Sequence, residues 1–528
     1  MTSVTEDEDH REAGDYLLLF SIFLIAICAL IYELIAGAVS SYLLGSSVTH
    51  FSLVIGLFLS AMGLGAYLTR FFTDRLLERF VQIELIIGLV GGSSALLLFS
   101  TFTYAPHAYM GVMISVASVV GALVGMELPL IIRVLEERHS ALKLTIANVM
   151  AVDYLGALAA SLAFPFILVP RLGLMRTSFL FGLLNLAVAW VGIYRFWPIL
   201  RSRRLNLSLA CLISLLLTLG LVRSGELVSA IEARVFPDQI ILSRDTNFQR
   251  VIVTNWREDI RLYLNGALQF SSVDEHRYHE ALVHPAMRRA SSHQDILILG
   301  GGDGFAVREV LKYSDVKRID LVDIDPVVTD LFSDHPALNQ LNQGSLTHPK
   351  VHVTNQDAAL FLGESERAWD VMIMDLPDPE SYEIGRLYTL EQLSILSQHL
   401  RPRGVIVVQS TSPFYAREAF WCIAETLNQT PSLRAGELGT LEIAPYHLNV
   451  PSFGEWGFVL ASHERETLSQ TRHPLPNTRF LNPDTENTLF VFPNDLKRPE
   501  EIEINQLNTQ RLVRYYTTSY RQFYGDHH

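Results

Sequence analysis

Apolar residues are distributed along this 528-residue chain in two different ways. Through the first part they come in long blocks, at 16–35, 51–68, 81–102, 109–132, 144–169, 174–193 and 205–222. Each is close to the ~20 residues an α-helix needs to cross a bilayer's hydrocarbon. Seven such blocks predict a multi-pass α-helical membrane domain over residues 1–223. Asp153, Gly156 and Pro165 interrupt the fifth block, which is the one expected to be re-entrant or to be no span of its own. From residue 235 the apolar runs shrink to strand length and are punctuated by Gly, Asn, Asp and Pro, the pattern of an α/β region.

Residues 224–234 read as a polar helical linker. Short strands follow at 239–243, 250–254 and 261–264, and Asn265-Gly266 is a strong hairpin signal. These predict a small β-hairpin domain over residues 235–285, closing with a helix that begins near Asp274. Residues 286–465 then read as a Rossmann-like, methyltransferase-type doubly wound sheet, and 466–528 as a C-terminal extension. The centre of that sheet is DILILGGGDGFAVREVLKYSDVKRIDLVDID, residues 295–325. Ile296 to Leu299 form an unbroken apolar run, as in a parallel strand buried on both faces. Gly300, Gly301, Gly302 and Gly304 permit a sharp turn, 306–312 has helical character, and a second strand at 319–322 ends in Asp323 and Asp325. Further strands are predicted at 351–353 and 369–374.

The polar residues at these strand ends suggest a chemistry. A carboxylate about 20 residues past a glycine turn is where doubly wound folds hold ribose hydroxyls, which points to Asp323. Asp303, inside the glycine loop, would repel a pyrophosphate or a carboxylate and attract an ammonium group. The loop is therefore selective for a nucleoside with a cationic tail. Asp357, after Asn355 and Gln356, can accept from an adenine amino group. Asp375 and Asp378 flank Leu376 and Pro377 at the end of the fourth strand, and with Asp303 they make an anionic pocket that suits an amine. Tyr278, His279 and Glu280 are adjacent on one helix and so point in different directions.

Charge and cysteine content narrow the classes. A net charge of -14 argues against a nucleic-acid partner, and Cys28, Cys211 and Cys422 have neither metal-ligand nor disulfide spacing. The acidic start lacks the basic region of a cleaved signal, so the first apolar block is expected to remain as an anchor. Basic residues gather in alternate loops: Arg70, Arg75 and Arg79, then Arg133, Arg138 and Lys143, then Arg195, Arg201, Arg203 and Arg204. The positive-inside rule makes those loops cytoplasmic, and seven spans would then leave the second half outside. Nucleoside chemistry requires it inside, which is why the fifth block is in question. Glu33, Glu127 and Asp153 lie within the spans. They either pair structurally, Glu127 with Arg133 for example, or line a path for a cation.

Taken together, residues 235–465 resemble the spermidine synthases, the polyamine aminopropyltransferase family. The resemblance rests on NFQRV around Gln249, LNGALQFSSVDEHRYHEALVHPAM, GGGDG at 300–304, VDID at 322–325, QDA at 356–358, DLPDP at 375–379 and VPSFGEWGF at 450–458. The apolar half and the tail TRFLNPDTENTLFVFPNDL resemble the family's bacterial membrane-attached branch. This implies transfer of an aminopropyl group from decarboxylated S-adenosylmethionine, a co-substrate, to putrescine, giving spermidine and methylthioadenosine without a cofactor or metal. By the resemblance Gln249 contacts the nucleoside, Asp323 the ribose, and Asp357 with Ala358 the adenine. His279 and Asp303 face the amine or the aminopropyl arm, Asp375 is the proton acceptor, and Asp378 and Tyr278 help hold the amines. A homo-oligomer is expected, in the cell membrane, with its catalytic domain on the cytoplasmic side. The chain departs from the family at Leu376 and Pro377, where small hydroxyl residues are usual, and at Asp323, usually Glu. Two alternatives are an S-adenosylmethionine-dependent N-methyltransferase of the same topology, and a membrane polyamine sensor or transporter whose second half only binds.

Overall fold

The computed structural model describes residues 2–44, 47–136, 142–235, 238–246, 248–434 and 437–524; Arg138, used above for orientation, lies outside them. The chain forms two compact units, Met1–Pro237 and Asp238–His528.

The first unit is helical. Among the described residues five helices are long and apolar enough to cross a membrane, or six if the pair Leu76–Gly92 and Ser94–Tyr104, bent by 42°, counts as one span. The difference from seven falls on the fifth and sixth blocks, which run together as one helical stretch, Ile146–Arg195. At ~1.5 Å per residue that stretch is more than twice the thickness of a bilayer's apolar core. Pro165 does not end it, because the helix passes this point through a π-helical segment, Phe164–Leu168, whose wider turn accommodates the proline. The break comes later, at Gly173, with φ 71° and ψ 171°.

Helices Ser47–Leu68 and Tyr109–Glu136 pack backbone to backbone through Gly65 and Gly125. A Cβ at either would stand 1.9 Å from Ala122 O or 2.1 Å from Met62 O. Glu127 does not take up Arg133. It hydrogen-bonds to Glu84, which also accepts from Asn185 Nδ2 at 2.5 Å, while Arg133 donates to Thr69 O at 3.2 Å. Glu84, Glu127 and Asn185 are thus linked across three helices. The segment expected as a linker is a helix, Ser224–Val235, belonging to this unit, with Ser224 Oγ accepting from Arg176 Nε at 3.0 Å.

The second unit begins with a four-stranded antiparallel meander: β1 (Gln239–Asp245), β2 (Arg250–Trp256), β3 (Asp259–Leu264) and β4 (Ala267–Ser271). Asn265 and Gly266, at φ 51° and 87°, make the tight turn between β3 and β4. Both central residues left-handed is the geometry that matches strand twist in a two-residue hairpin. Helix Glu275–Arg289 follows.

The main sheet contains β5 (Asp295–Gly300), β6 (Arg318–Asp323), β7 (Val351–Asn355), β8 (Trp369–Asp375) and β9 (Leu400–Gln409). A ribbon of β10 (Pro431–Arg434) and β11 (Glu437–Thr440) precedes β12 (Glu442–Val450) and β13 (Gly454–Ser462). The order across the seven-stranded sheet is β12-β13-β9-β8-β5-β6-β7, with β9, β8, β5, β6 and β7 parallel, β13 antiparallel to β9, and β12 antiparallel to β13. From β5 the chain winds outward through β6 and β7, then returns to the other side of β5 for β8 and β9. The switch lies between β5 and β8, where an open sheet leaves a crevice at its carboxyl edge. Ile296, Leu297 and Ile298 on β5 and Val371, Met372 and Ile373 on β8 are completely buried, so this edge sits on a rigid base.

Candidate active site

Four chain segments converge at that crevice. The first is the glycine loop after β5. Gly300 has φ 80°, and a Cβ there would lie 2.1 Å from Asp375 O, so only glycine lets β5 and β8 end this close together. Gly301 N donates to the same carbonyl at 3.1 Å. Gly302 N donates to Asp323 Oδ2 at 3.0 Å, and a Cβ on Gly302 would clash with that oxygen at 2.6 Å. The loop therefore packs directly on the Asp323 carboxylate. Asp303 tips into the crevice, its Oδ1 accepting from Phe305 N at 3.0 Å and its carbonyl from Asn342 Nδ2 at 2.9 Å.

The second segment is the end of β6. Asp323 accepts from Gly302 N and, at 2.9 Å, from Asp325 N. Asp325 is fully buried; it takes Thr246 Oγ1 at 2.8 Å, Gln249 Nε2 at 3.0 Å and Val327 N at 3.1 Å. Gln249, expected against the nucleoside, here ties the meander to this strand end beside Asp323. At the end of β7, Asp357 caps helix Ala358–Glu364, its Oδ1 accepting from Ala359 N at 2.9 Å and Leu360 N at 3.2 Å, and its other oxygen pairs with Arg386. Ala358 lines a small apolar void with Leu299, Leu376 and Leu387.

The third segment is the loop after β8. Asp375 Oδ1 accepts from Tyr278 Oη at 2.8 Å. Asp378 is held by Gln409 Nε2 at 3.1 Å on one oxygen, and by Thr411 Oγ1 at 3.1 Å and Tyr516 Oη at 2.9 Å on the other.

The fourth is helix Glu275–Arg289. Tyr278 and His279 both serve the site although adjacent: their rings meet edge to face at 5.0 Å, with Tyr278 also against Phe458 at 5.2 Å. Glu280 points elsewhere and accepts the main-chain N–H groups of Arg479, Phe480 and Leu481 at 2.6, 2.8 and 2.9 Å. His279 Nδ1 donates to Glu275 O at 2.8 Å and to Glu275 Oε2 at 2.9 Å, and Glu275 also receives Arg308 Nη1 and Nη2 at 3.0 and 2.9 Å.

The electrostatics follow from these partners. Burial alone would lower the His279 pKa, but the Glu275 carboxylate outweighs it and raises the imidazole to about 9. Glu275 itself, against the push of burial, is brought down to about 2 by His279 and Arg308. Burial pushes Asp303 up to about 6, with His279 pulling the other way, and pushes Asp323 to about 6 against the pull of its two N–H donors. Burial also raises Asp375 and Asp378, opposed by His279 and Tyr278 for the first and by Gln409, Tyr516 and Thr411 for the second. A further acid, Glu380, is raised to about 7 by burial and by Asp378. No lysine or arginine stands among the main influences on these five acids. Such a pocket stabilises a cationic guest.

Sequence reasoning missed Glu275, Glu380, Gln409, Thr411 and Tyr516. Glu275 stood four residues before His279, the spacing of facing helical side chains. Gln409 and Thr411 carried no local signal, and Tyr516 lies 138 residues beyond its partner.

Comparison with known proteins now bears on this geometry. Residues 275–472 match the Spermine/spermidine synthase domain. The chain is 45% identical over 509 residues to polyamine aminopropyltransferase 2 of Ralstonia nicotianae, covering 95% of this chain and 98% of that one. It is 43% identical to the polyamine aminopropyltransferase of Leptospira interrogans, covering 94% and 97%, and 40% identical to that of Oceanobacillus iheyensis, covering 96% and 98%. These similarities extend through both units, so the whole chain, and not only its α/β part, belongs to the polyamine aminopropyltransferase family.

Proposed function

We propose that this enzyme moves the aminopropyl group of decarboxylated S-adenosylmethionine onto a primary amine of putrescine, with Asp375 as proton acceptor. A C–N bond forms as the C–S bond breaks; the sulfonium's electron pair returns to sulfur as methylthioadenosine, and the attacking nitrogen gives up a proton. A sulfonium is already a good leaving group. The barrier therefore lies in presenting an unprotonated amine, since a free alkylamine has a pKa of about 10. The observation that carries this reading is Asp375, raised by burial, hydrogen-bonded to Tyr278 and electrostatically coupled to both His279 and Asp303.

The donor's nucleoside lies along the β6 and β7 ends, with Asp323 toward the ribose and Asp357, Ala358 and Gln249 around the base and sugar. Its ammonium tail meets Asp303, where the carboxylate of ordinary S-adenosylmethionine would be repelled. Asp378 fixes the acceptor's distal ammonium and aligns the near nitrogen for attack. Product analysis with decarboxylated S-adenosylmethionine and a panel of diamines tests this: spermidine and methylthioadenosine in equal amounts support it, and methyl transfer without methylthioadenosine removes it.

The same reading places the first unit in the cell membrane and the second on its cytoplasmic side. Five helices of spanning length and apolarity among the described residues support the first point, and the cytoplasmic origin of the donor supports the second. Cysteine labelling of sealed vesicles from either side tests both; an externally labelled second unit overturns the orientation.

A further inference from the structure

The tail of the second unit ends in helix Arg511–Tyr524, and its seating is specific. Asn505, fully buried, donates through Nδ2 to Gly385 O at 2.9 Å, accepts from Leu512 N at 3.2 Å, and receives Leu390 N on its carbonyl at 2.8 Å. A Cβ on Gly385 would stand 2.4 Å from Val513. Gly385 closes the short helix Tyr382–Gly385, which directly follows the β8 loop. The tail is thus locked onto the segment that carries Asp375 and Asp378, and one turn beyond Leu512 and Val513 it delivers Tyr516.

Tyr516 Oη donates to Asp378 Oδ2 at 2.9 Å, and the Tyr520 ring lies against the Tyr516 ring at 4.5 Å. Glu380 acts on Tyr516 as well. Leu376 and Pro377, between the two aspartates, offer no side-chain donor, so both hydroxyls on Asp378 come from distant sequence, Thr411 and Tyr516. A carboxylate anchored by three neutral donors keeps its charge available to a guest while losing its freedom to swing. The Tyr516 ring, with the Tyr520 ring tilted against it, therefore lies beyond Asp378 Oδ2, the oxygen that Thr411 also holds.

We propose that Tyr516 is a positioning and length-determining residue for the amine acceptor: it orients Asp378 and closes the subsite behind it, so that short primary diamines fit and an amine with a third nitrogen does not. This deepens the role of Asp378 given above and rests on it.

The test uses the full-length enzyme and compares wild type, Tyr516→Phe, Tyr516→Ala and Asp378→Asn with putrescine, cadaverine and spermidine as acceptors. Tyr516→Phe, which keeps the ring, raises the KM for putrescine about tenfold, as loss of a hydrogen bond to a charged group predicts. The KM for decarboxylated S-adenosylmethionine and kcat at saturating amine each move less than about twofold. Tyr516→Ala raises the ratio of kcat/KM for spermidine over putrescine at least about tenfold, a ratio taken within one preparation and so independent of the fraction folded. An unchanged putrescine KM in Tyr516→Phe, equal losses for both substrates, or an unchanged ratio in Tyr516→Ala overturns the proposal. If Asp378→Asn also leaves the putrescine KM unchanged, the assignment of Asp378 itself has failed; if it raises that KM while Tyr516→Phe does not, only the role of Tyr516 has.

Discussion

The carboxyl edge of the sheet carries aspartates on both sides of the switch, and they are held in opposite ways. On the β6 and β7 side, Asp325 and Asp357 are committed to the protein: each caps a helix, Asp325 binds Thr246 and Gln249, and Asp357 pairs with Arg386. On the β8 side, among the described residues Asp375 and Asp378 accept side-chain hydrogen bonds from hydroxyl and amide donors alone, and the cation that acts on Asp375 is His279. Residue type and position along the strands are alike. What separates scaffold from reacting surface is whether main-chain N–H groups and guanidinium groups have already answered the charge. An uncharged nucleoside needs the first kind of edge, and an amine the second.

Substitutions on each side sharpen this contrast. Asp375→Asn has the largest expected effect, a fall in kcat of about 10³-fold with donor affinity retained, within the range for loss of a general base; turnover assays paired with equilibrium donor binding check it. Asp325→Ala strands the hydroxyl of Thr246, the amide of Gln249 and the N–H of Val327. It costs about 2–3 kcal/mol, read as a lower melting temperature of the full chain in detergent. If the two variants exchanged their effects, the division of the edge would be mistaken.

The pH profile gives a smaller effect whose sign is fixed. Asp303, at about 6 against an ordinary 3.8, is ionised only above that value, so kcat/KM for the donor falls as pH drops through 6. His279, at about 9 against 6.5, contributes its charge fully below 6.5 and loses it as pH rises through 9. Glu275, at about 2 against 4.5, contributes above 4.5 and is lost only as pH falls through 2. The Glu275–His279 pair is therefore fully in place between 4.5 and 6.5, and weakens toward pH 9 on its His279 side. Glu275→Gln removes the anion and moves the basic limb of the kcat/KM profile down by about one unit or more. A basic limb that stays near 9 in that variant would show that His279 does not set it.

Much of the parallel sheet was legible because β5 and β8 are covered on both faces and carry the unbroken apolar runs ILIL and VMIM, with β6 nearly so around Asp320. The Asn265-Gly266 turn was legible for a different reason, the positive φ at both positions. Leucine-to-glutamine β9 was overlooked although VIVV is as apolar as β5, since Pro402 and Gly404 at its start look like a loop. Strands β12 and β13 mix His447, Asn449 and Glu455 among apolar residues, and these polar positions are half-buried or exposed. In the first unit, Pro165 drew attention away from Gly173, and Glu84 went unremarked because its partners, Glu127 and Asn185, lie on other helices. The same distance hid Tyr516. Local pattern announces a strand or a glycine turn, whereas a hydroxyl brought by a separate helix leaves no mark beside the aspartate it serves.

Glu280 has a consequence for the intact molecule. One residue after His279, and wholly shielded from solvent, this carboxylate is clasped by three successive N–H groups from 479–481, while Arg288 and Arg289 on the same helix grip Glu486. A protease that clipped the tail away would remove Tyr516 from Asp378. It would also strip Glu280 of its three N–H donors and Arg288 and Arg289 of Glu486 at one stroke, loosening the helix that presents Tyr278 and His279.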